Sequence, residues 1–126
     1  MIKIILIAVI FIFAGCNTPQ EILYLVNDNN GQEVEVSLKE EIEISLDANP
    51  TTGYTWSISE IDTNFTKQIS EVQYKANSNL IGSPGKQTFR FQTIASGKTA
   101  LKLIYHRPWE KEVIPSDTFF IKINVI

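Results

Sequence analysis

The sequence predicts an all-β fold, a sandwich of about eight short strands, on three observations. Apolar side chains recur at every second position over most of the chain, the period of a half-buried strand. Turn-forming clusters of Gly, Asn, Asp, Ser and Pro interrupt that alternation about every 8–12 residues. Beyond the first apolar run, no stretch shows the 3.6-residue spacing of an amphipathic helix.

Taken in order, Ile22 to Val26 is a first apolar strand, ended by the turn cluster Asn27-Asp28-Asn29-Asn30-Gly31. Val34, Val36 and Leu38 alternate with Glu33, Glu35 and Ser37, and Lys39-Glu40-Glu41 reverses the chain. Ile42, Ile44 and Leu46 alternate with Glu43 and Ser45 and lead into a loop at 49–54. Trp56 and Ile58 share one face of the next strand, with Trp56 plugging the core; the strand fades near Asp62. Residues 63–67 read as an irregular crossing, and Ile69 to Ala76 as a strand with Val72 and Tyr74 inward. A polar, Gly-containing loop runs from Asn77 to Lys86. Phe89 and Phe91 alternate with Arg90 and Gln92, and Ala95-Ser96-Gly97-Lys98 turns the chain. Leu101, Leu103 and Tyr105 form the next strand, and a long loop from His106 to Ser116 precedes Phe119, Ile121, Ile123 and Val125. The architecture is immunoglobulin-like only in outline, because the Cys…Trp…Cys spacing of antibody domains is missing and a lone cysteine permits no disulfide.

If every strand crosses the full height of the sandwich, successive connections alternate between its two ends. The segments 27–31, 47–53, 77–86 and 106–117 then share one end. The connections at 39–41, 61–68 and 95–98, with both termini, fall at the other.

A length of 126 residues fits one domain. The formal net charge of −3, with basic residues scattered among acids, argues against nucleic acid, whose phosphates need a basic patch. The N-terminus reads as a leader over 1–15: Lys3 precedes an apolar run, Ile4 to Phe13, too short to span a bilayer. Phe13-Ala14-Gly15-Cys16 resembles a bacterial lipobox, so Cys16 is expected to carry a lipid, with 16–21 as a lipidated tether and 22–126 as the domain. The alternatives at Cys16 are a free thiol or a plain signal peptide cut nearby. A lipidated chain would be an envelope protein, on an outer membrane or cell surface, facing periplasm or exterior, its loop end directed away from the membrane.

The most informative stretch is Asn49-Pro50-Thr51-Thr52-Gly53-Tyr54-Thr55-Trp56. Pro50 fixes one φ angle, Gly53 admits a positive one, and the threonines are stiff with hydroxyls that bond nearby backbone. A loop so stiffened loses little entropy on binding; it is equally a well-made turn. Arg107-Pro108-Trp109 supplies an aromatic anchor whose direction Pro108 sets, and Arg107 can pair with an acid or stack on a ring. Trp109 either anchors a partner or folds back over its own sandwich.

With Gly82-Ser83-Pro84-Gly85 between them, these motifs resemble, in order and spacing, the chagasin family of inhibitors of papain-like cysteine peptidases. The resemblance implies a monomeric, reversible, competitive inhibitor whose three loops wedge into the peptidase cleft. Asn49, Pro50, Thr51, Thr52, Gly53 and Tyr54 would form the central tooth, Thr51 nearest the enzyme's cysteine. Leu80, Gly82, Pro84 and Gly85 would lie on the non-primed side, and Arg107, Pro108 and Trp109 on the primed side. The family often has Gly-x-Gly-Gly where this chain has Gly82-Ser83-Pro84-Gly85. Pro84 removes a donor there and either weakens or stiffens the loop.

An enzyme is not expected. His106 is the single histidine, which argues against metal sites and catalytic triads; it reads as a strand-end residue orienting the Arg-Pro-Trp loop. Glu40, Glu41 and Glu43 read as a solvated face, and neither metal nor cofactor is expected. The alternative function is a lipid-anchored envelope module that binds a surface partner without inhibiting it.

Overall fold

The alternation over residues 41–48 places Ile42, Ile44, Leu46 and Ala48 on one face, and all four are buried. The same arithmetic buries Phe89, Phe91 and Thr93 on one strand and Phe119, Ile121, Ile123 and Val125 on another. The computed structural model describes residues 21–126 and contains nine strands in two sheets. They are β1 (Ile22–Leu25), β2 (Glu33–Val36), β3 (Glu41–Ala48), β4 (Thr55–Ile61), β5 (Thr66–Gln68), β6 (Gln73–Ala76), β7 (Gly85–Thr93), β8 (Gly97–His106) and β9 (Asp117–Val125). The leader, Cys16 and the tether up to Gln20 lie outside the described residues.

One sheet runs β1-β3-β7, with β5 and β6 both on the outer edge of β7; the other runs β2-β9-β8-β4. The pairings are antiparallel except β1 with β3 and β2 with β9, which are parallel. Between the sheets Trp56, Leu101 and Leu103 meet Ile44, Leu46 and Phe89 in one continuous core. Trp56 plugs that core as expected, its indole N–H donating to the Asp47 carbonyl at 2.9 Å. Its backbone N–H donates to the buried side chain of Gln87 at 2.8 Å, which keeps a core polar group satisfied.

Nine strands make eight traverses. β5 and β6 run the same way along β7: Gln68 faces Phe91 and Gln73 faces Thr88, so five steps on one side match three on the other. The two surplus residues break one traverse into two strands. Every connection therefore falls at the end that alternation assigns to it. Within the segment expected to be an irregular crossing, Thr66 starts β5 and is fully buried.

Two inward assignments are corrected. Val72 and Tyr74 are exposed, because Val72 lies in the bulged-out segment and β6 packs substantially on β7 alone, with neither face covered. Leu38 is also exposed: β2 ends at Val36, and the chain turns through Lys39 at φ 75°. The acidic trio lies at the end opposite the long loops, but it is not the solvated face expected: Glu41 and Glu43 are only about a quarter exposed because Arg90 of β7 lies across them. Glu40 caps the Ser37 N–H at 3.1 Å, and Arg90 sits between Glu41 and Glu43 at 3.1 and 3.5 Å.

Candidate functional site

Three loops meet at the end of the sandwich where β3 and β8 finish and β4, β7 and β9 begin. β3 pairs Ala48 with Gly85 of β7, and β4 pairs Thr55 with His106 of β8. The sheets thereby bring 49–54, 77–84 and 107–116 to one edge.

The central loop is a single 3-10 turn, Pro50–Thr52, built from its own side chains. Asn49 caps it, accepting from the Thr51 N–H at 3.2 Å and the Thr51 hydroxyl at 2.6 Å. The Thr52 hydroxyl donates to the Asn49 carbonyl at 2.6 Å. Gly53 closes the turn in the left-handed region, φ 86°, its N–H donating to the Pro50 carbonyl at 3.0 Å. Only glycine takes that conformation without cost. Both threonine hydroxyls are committed internally, so the exposed tip offers Pro50 and the threonine methyl groups and carries no charge.

The tooth is tied to both neighbours. The Tyr105 hydroxyl accepts from the Asn49 N–H at 2.9 Å, and the Asn49 amide reaches the Gly82 carbonyl at 3.4 Å. From the other side, Arg107 Nε donates to the Thr52 carbonyl at 3.2 Å while its guanidinium lies over the Tyr54 ring, 4.5 Å from the centroid. Tyr54 stacks in turn on Tyr105 at 5.3 Å, and Tyr105 meets Trp56 at 5.1 Å. An aromatic column therefore runs from the core to the tip, with Arg107 as its lid. Glu110 balances the lid's charge at 3.7 Å.

Trp109 is 65% exposed yet leans on the tooth. It occupies the second corner of a β-turn closed by Glu110 N–H to Arg107 carbonyl, 2.9 Å, with Pro108 at the first. A β-carbon added at Gly53 would lie 2.5 Å from the Trp109 ring. The glycine thus serves two ends, the left-handed turn and the approach of the indole. His106, at the end of β8, holds the Ser57 hydroxyl at 3.0 Å beneath this limb.

In the third loop, Ser83 N–H bonds the Leu80 carbonyl at 3.1 Å, and the hydroxyls of Ser78 and Ser83 meet at 3.1 Å. Pro84 stands opposite Asn77, where its carbonyl accepts from the Asn77 N–H at 2.9 Å. The donor a proline lacks is the one that would extend the β6–β7 ladder, so Pro84 ends the ladder and releases the loop. Gly85 is fixed by space: a β-carbon there would overlap the Lys75 carbonyl oxygen.

The sequence-predicted residues thus assemble at one edge. Leu80 projects outward there, joined by Ile81, Val113 and Ile114, which sequence reasoning did not single out. The available signal was an apolar residue inside a loop, a weak one, because isolated exposed apolar residues are ordinary. Among the described residues no group of three His, Cys, Asp or Glu side chains is arranged to hold a metal.

Residues 35–123 match the family model described as the chagasin family of peptidase inhibitors, I42. Amoebiasin-1 of Entamoeba histolytica is 30% identical over 101 residues, spanning 80% of this chain and 97% of the relative. Chagasin of Trypanosoma cruzi is 32% identical over 104 residues, spanning 76% and 93%. The crystal structure of a cysteine protease inhibitor from Entamoeba histolytica superposes with a TM-score of 0.75 at 30% identity, covering 83% of this chain and 96% of that one.

Proposed function

Because this chain belongs to the chagasin family of peptidase inhibitors, we propose that it inhibits papain-like cysteine peptidases reversibly by lodging its three-loop edge in their cleft. The observation that carries the proposal is the tooth itself. Residues 49–53 are stiffened by Asn49, braced by Arg107 and flanked by Trp109. In this reading Thr51 sits nearest the enzyme's nucleophile, Leu80, Gly82, Pro84 and Gly85 lie along the non-primed side, and Pro108 and Trp109 cover the primed side. Arg107 and Tyr54 support the wedge from beneath, since the guanidinium covers one face of Tyr54 and Tyr105 the other. The inhibitor supplies no bond-making chemistry; it occupies the trench.

Anchoring belongs to the same proposal. The Glu21 N–H bonds the Glu40 carboxylate at 3.2 Å, at the pole opposite the wedge. A lipid on Cys16 would therefore leave the loops pointing away from an outer membrane or cell surface.

The test is a peptide-substrate assay of papain and a cathepsin with the purified protein. The expected result is competitive inhibition at nanomolar levels, about −12 kcal/mol of binding. No inhibition at micromolar concentration across several such enzymes would refute the reading.

A further inference from the structure

The four most exposed large apolar side chains among the described residues, Ile81, Ile114, Leu80 and Trp109, all stand on the loop end. Three belong to segments already assigned to the wedge or adjoining its assigned residues; Ile114 does not. It lies with Val113 on the far half of the 107–116 loop, beyond the Arg-Pro-Trp turn, and the two side chains are 88% and 58% exposed.

That half-loop is held, and its apolar tip is not an accident of slack chain. Its base is closed by the Ser116 N–H bonding the Tyr105 carbonyl at 2.9 Å. Its bend passes through Glu112 at φ 62°, a left-handed conformation that non-glycine residues seldom adopt. Pro115 then restricts Ile114 to extended backbone. Val113 and Ile114 line one small cavity together with Tyr54, Arg107 and Glu110, so the pair is continuous with the brace under the tooth. The shaped backbone presents two adjacent aliphatic side chains to water on the loop that also carries the exposed Trp109, an apolar grouping and not an isolated residue.

We propose that Val113 and Ile114 form a fourth contact on the target peptidase, reaching past Trp109 to an apolar rim outside the catalytic trench. They make the inhibitor selective for peptidases that carry such a rim. The occupant is the same enzyme that receives the wedge, because the pair shares the wedge's loop and lines one cavity with the brace residues Tyr54 and Arg107; the inference rests on the inhibitor reading above.

The experiment compares the parent protein with V113S/I114S, with I114S alone, and with Y24S, a control on an exposed residue of β1 away from the loop end. Inhibition constants and dissociation rates are measured against several papain-like peptidases, with thermal unfolding alongside. The expected result is a ten- to hundredfold weaker inhibition by the double variant against at least one peptidase. The loss should lie mainly in faster dissociation, with unchanged melting and no effect of Y24S. Should the double variant fold poorly, I114S alone decides, since that side chain is almost wholly in solvent. Parent and variant inhibiting every enzyme within twofold of each other would overturn the fourth contact while leaving the wedge intact. A parent that inhibits none of them would overturn both.

Discussion

Replacing Gly53 with alanine puts a methyl group where the Trp109 ring already lies and asks a side-chain-bearing residue to hold φ at 86°. The backbone term is about 1–2 kcal/mol, the usual cost of the left-handed region. The steric term is small for folding, because the obstructing atom is the far end of a mostly exposed indole, 2.5 Å from the new carbon, which can swing into solvent. A domain of ordinary stability, about 5 kcal/mol or more, would remain over about 99% folded after that loss. Inhibition should suffer far more. If Trp109 covers the primed side as proposed, displacing its ring costs about 2 kcal/mol or more, roughly thirtyfold in the inhibition constant.

The assay is a double-mutant cycle over Gly53→Ala, Trp109→Ala and both, each measured by peptide-substrate competition and by urea denaturation. If Gly53 matters to binding because it seats the indole, alanine at 53 should do little further harm once the ring is gone. The expected coupling is at least about 1 kcal/mol of non-additivity in inhibition, alongside additive effects on stability. Additive losses in inhibition, or a Gly53→Ala protein as potent as the parent, would refute the reasoning.

Two further outcomes follow from the same geometry. Gly85→Ala drives a methyl into the Lys75 carbonyl oxygen, and since backbone must move, stability should fall by about 1–3 kcal/mol in urea denaturation. Arg107→Lys keeps the charge but loses both the planar stack on Tyr54 and the Nε donor to the Thr52 carbonyl. It should weaken inhibition by about five- to thirtyfold with melting changed by only a few degrees, and unaltered inhibition would show that the lid on the aromatic column is dispensable.

The gathering of the loops was legible from the sequence because it depends on parity and not on strand boundaries. The chain reading put one strand at Ile69 to Ala76, where the structure has only the shorter β6, and missed β5 at the end of the presumed crossing; both run one way along β7, so the traverse number stood. Two surplus residues between Gln68 and Gln73 leave no mark in the hydrophobic pattern, since Ile69 and Val72 are as apolar as core residues. Val72 is exposed because it lies in that bulge, and Tyr74 because β6 lies outboard of β7, a property of sheet order that no local pattern encodes. The local chemistry of the tooth was equally readable: Asn, Pro, two threonines and Gly each do within five residues what their side chains favour. The contacts across loops were not. That the Tyr54 ring is enclosed by Arg107 and Tyr105, and that Trp109 rests on Gly53, depends on groups more than fifty residues apart in sequence.

A peptide placed against a catalytic cysteine is ordinarily cut, and the bonding of this tooth gives a physical reason why it would persist. Acylation requires the attacked segment to adopt an extended near-attack geometry. Here the Thr51 N–H and hydroxyl are held by Asn49 Oδ1, and the Thr52 N–H and hydroxyl by the Asn49 carbonyl. The Gly53 N–H is held by the Pro50 carbonyl, and the Thr52 carbonyl accepts from Arg107. Unwinding the 3-10 turn forfeits these six bonds at about 0.5–1.5 kcal/mol each, some 3–9 kcal/mol in all. Added to the barrier, that slows cleavage by about two to seven orders of magnitude. The same six bonds leave no donor of the two threonine side chains waiting for a partner, so docking the tip strips water from methyl groups and not from unpaired hydroxyls. Rigidity and affinity therefore have one source, and Asn49, whose Oδ1 and carbonyl accept four of the six bonds, is its centre.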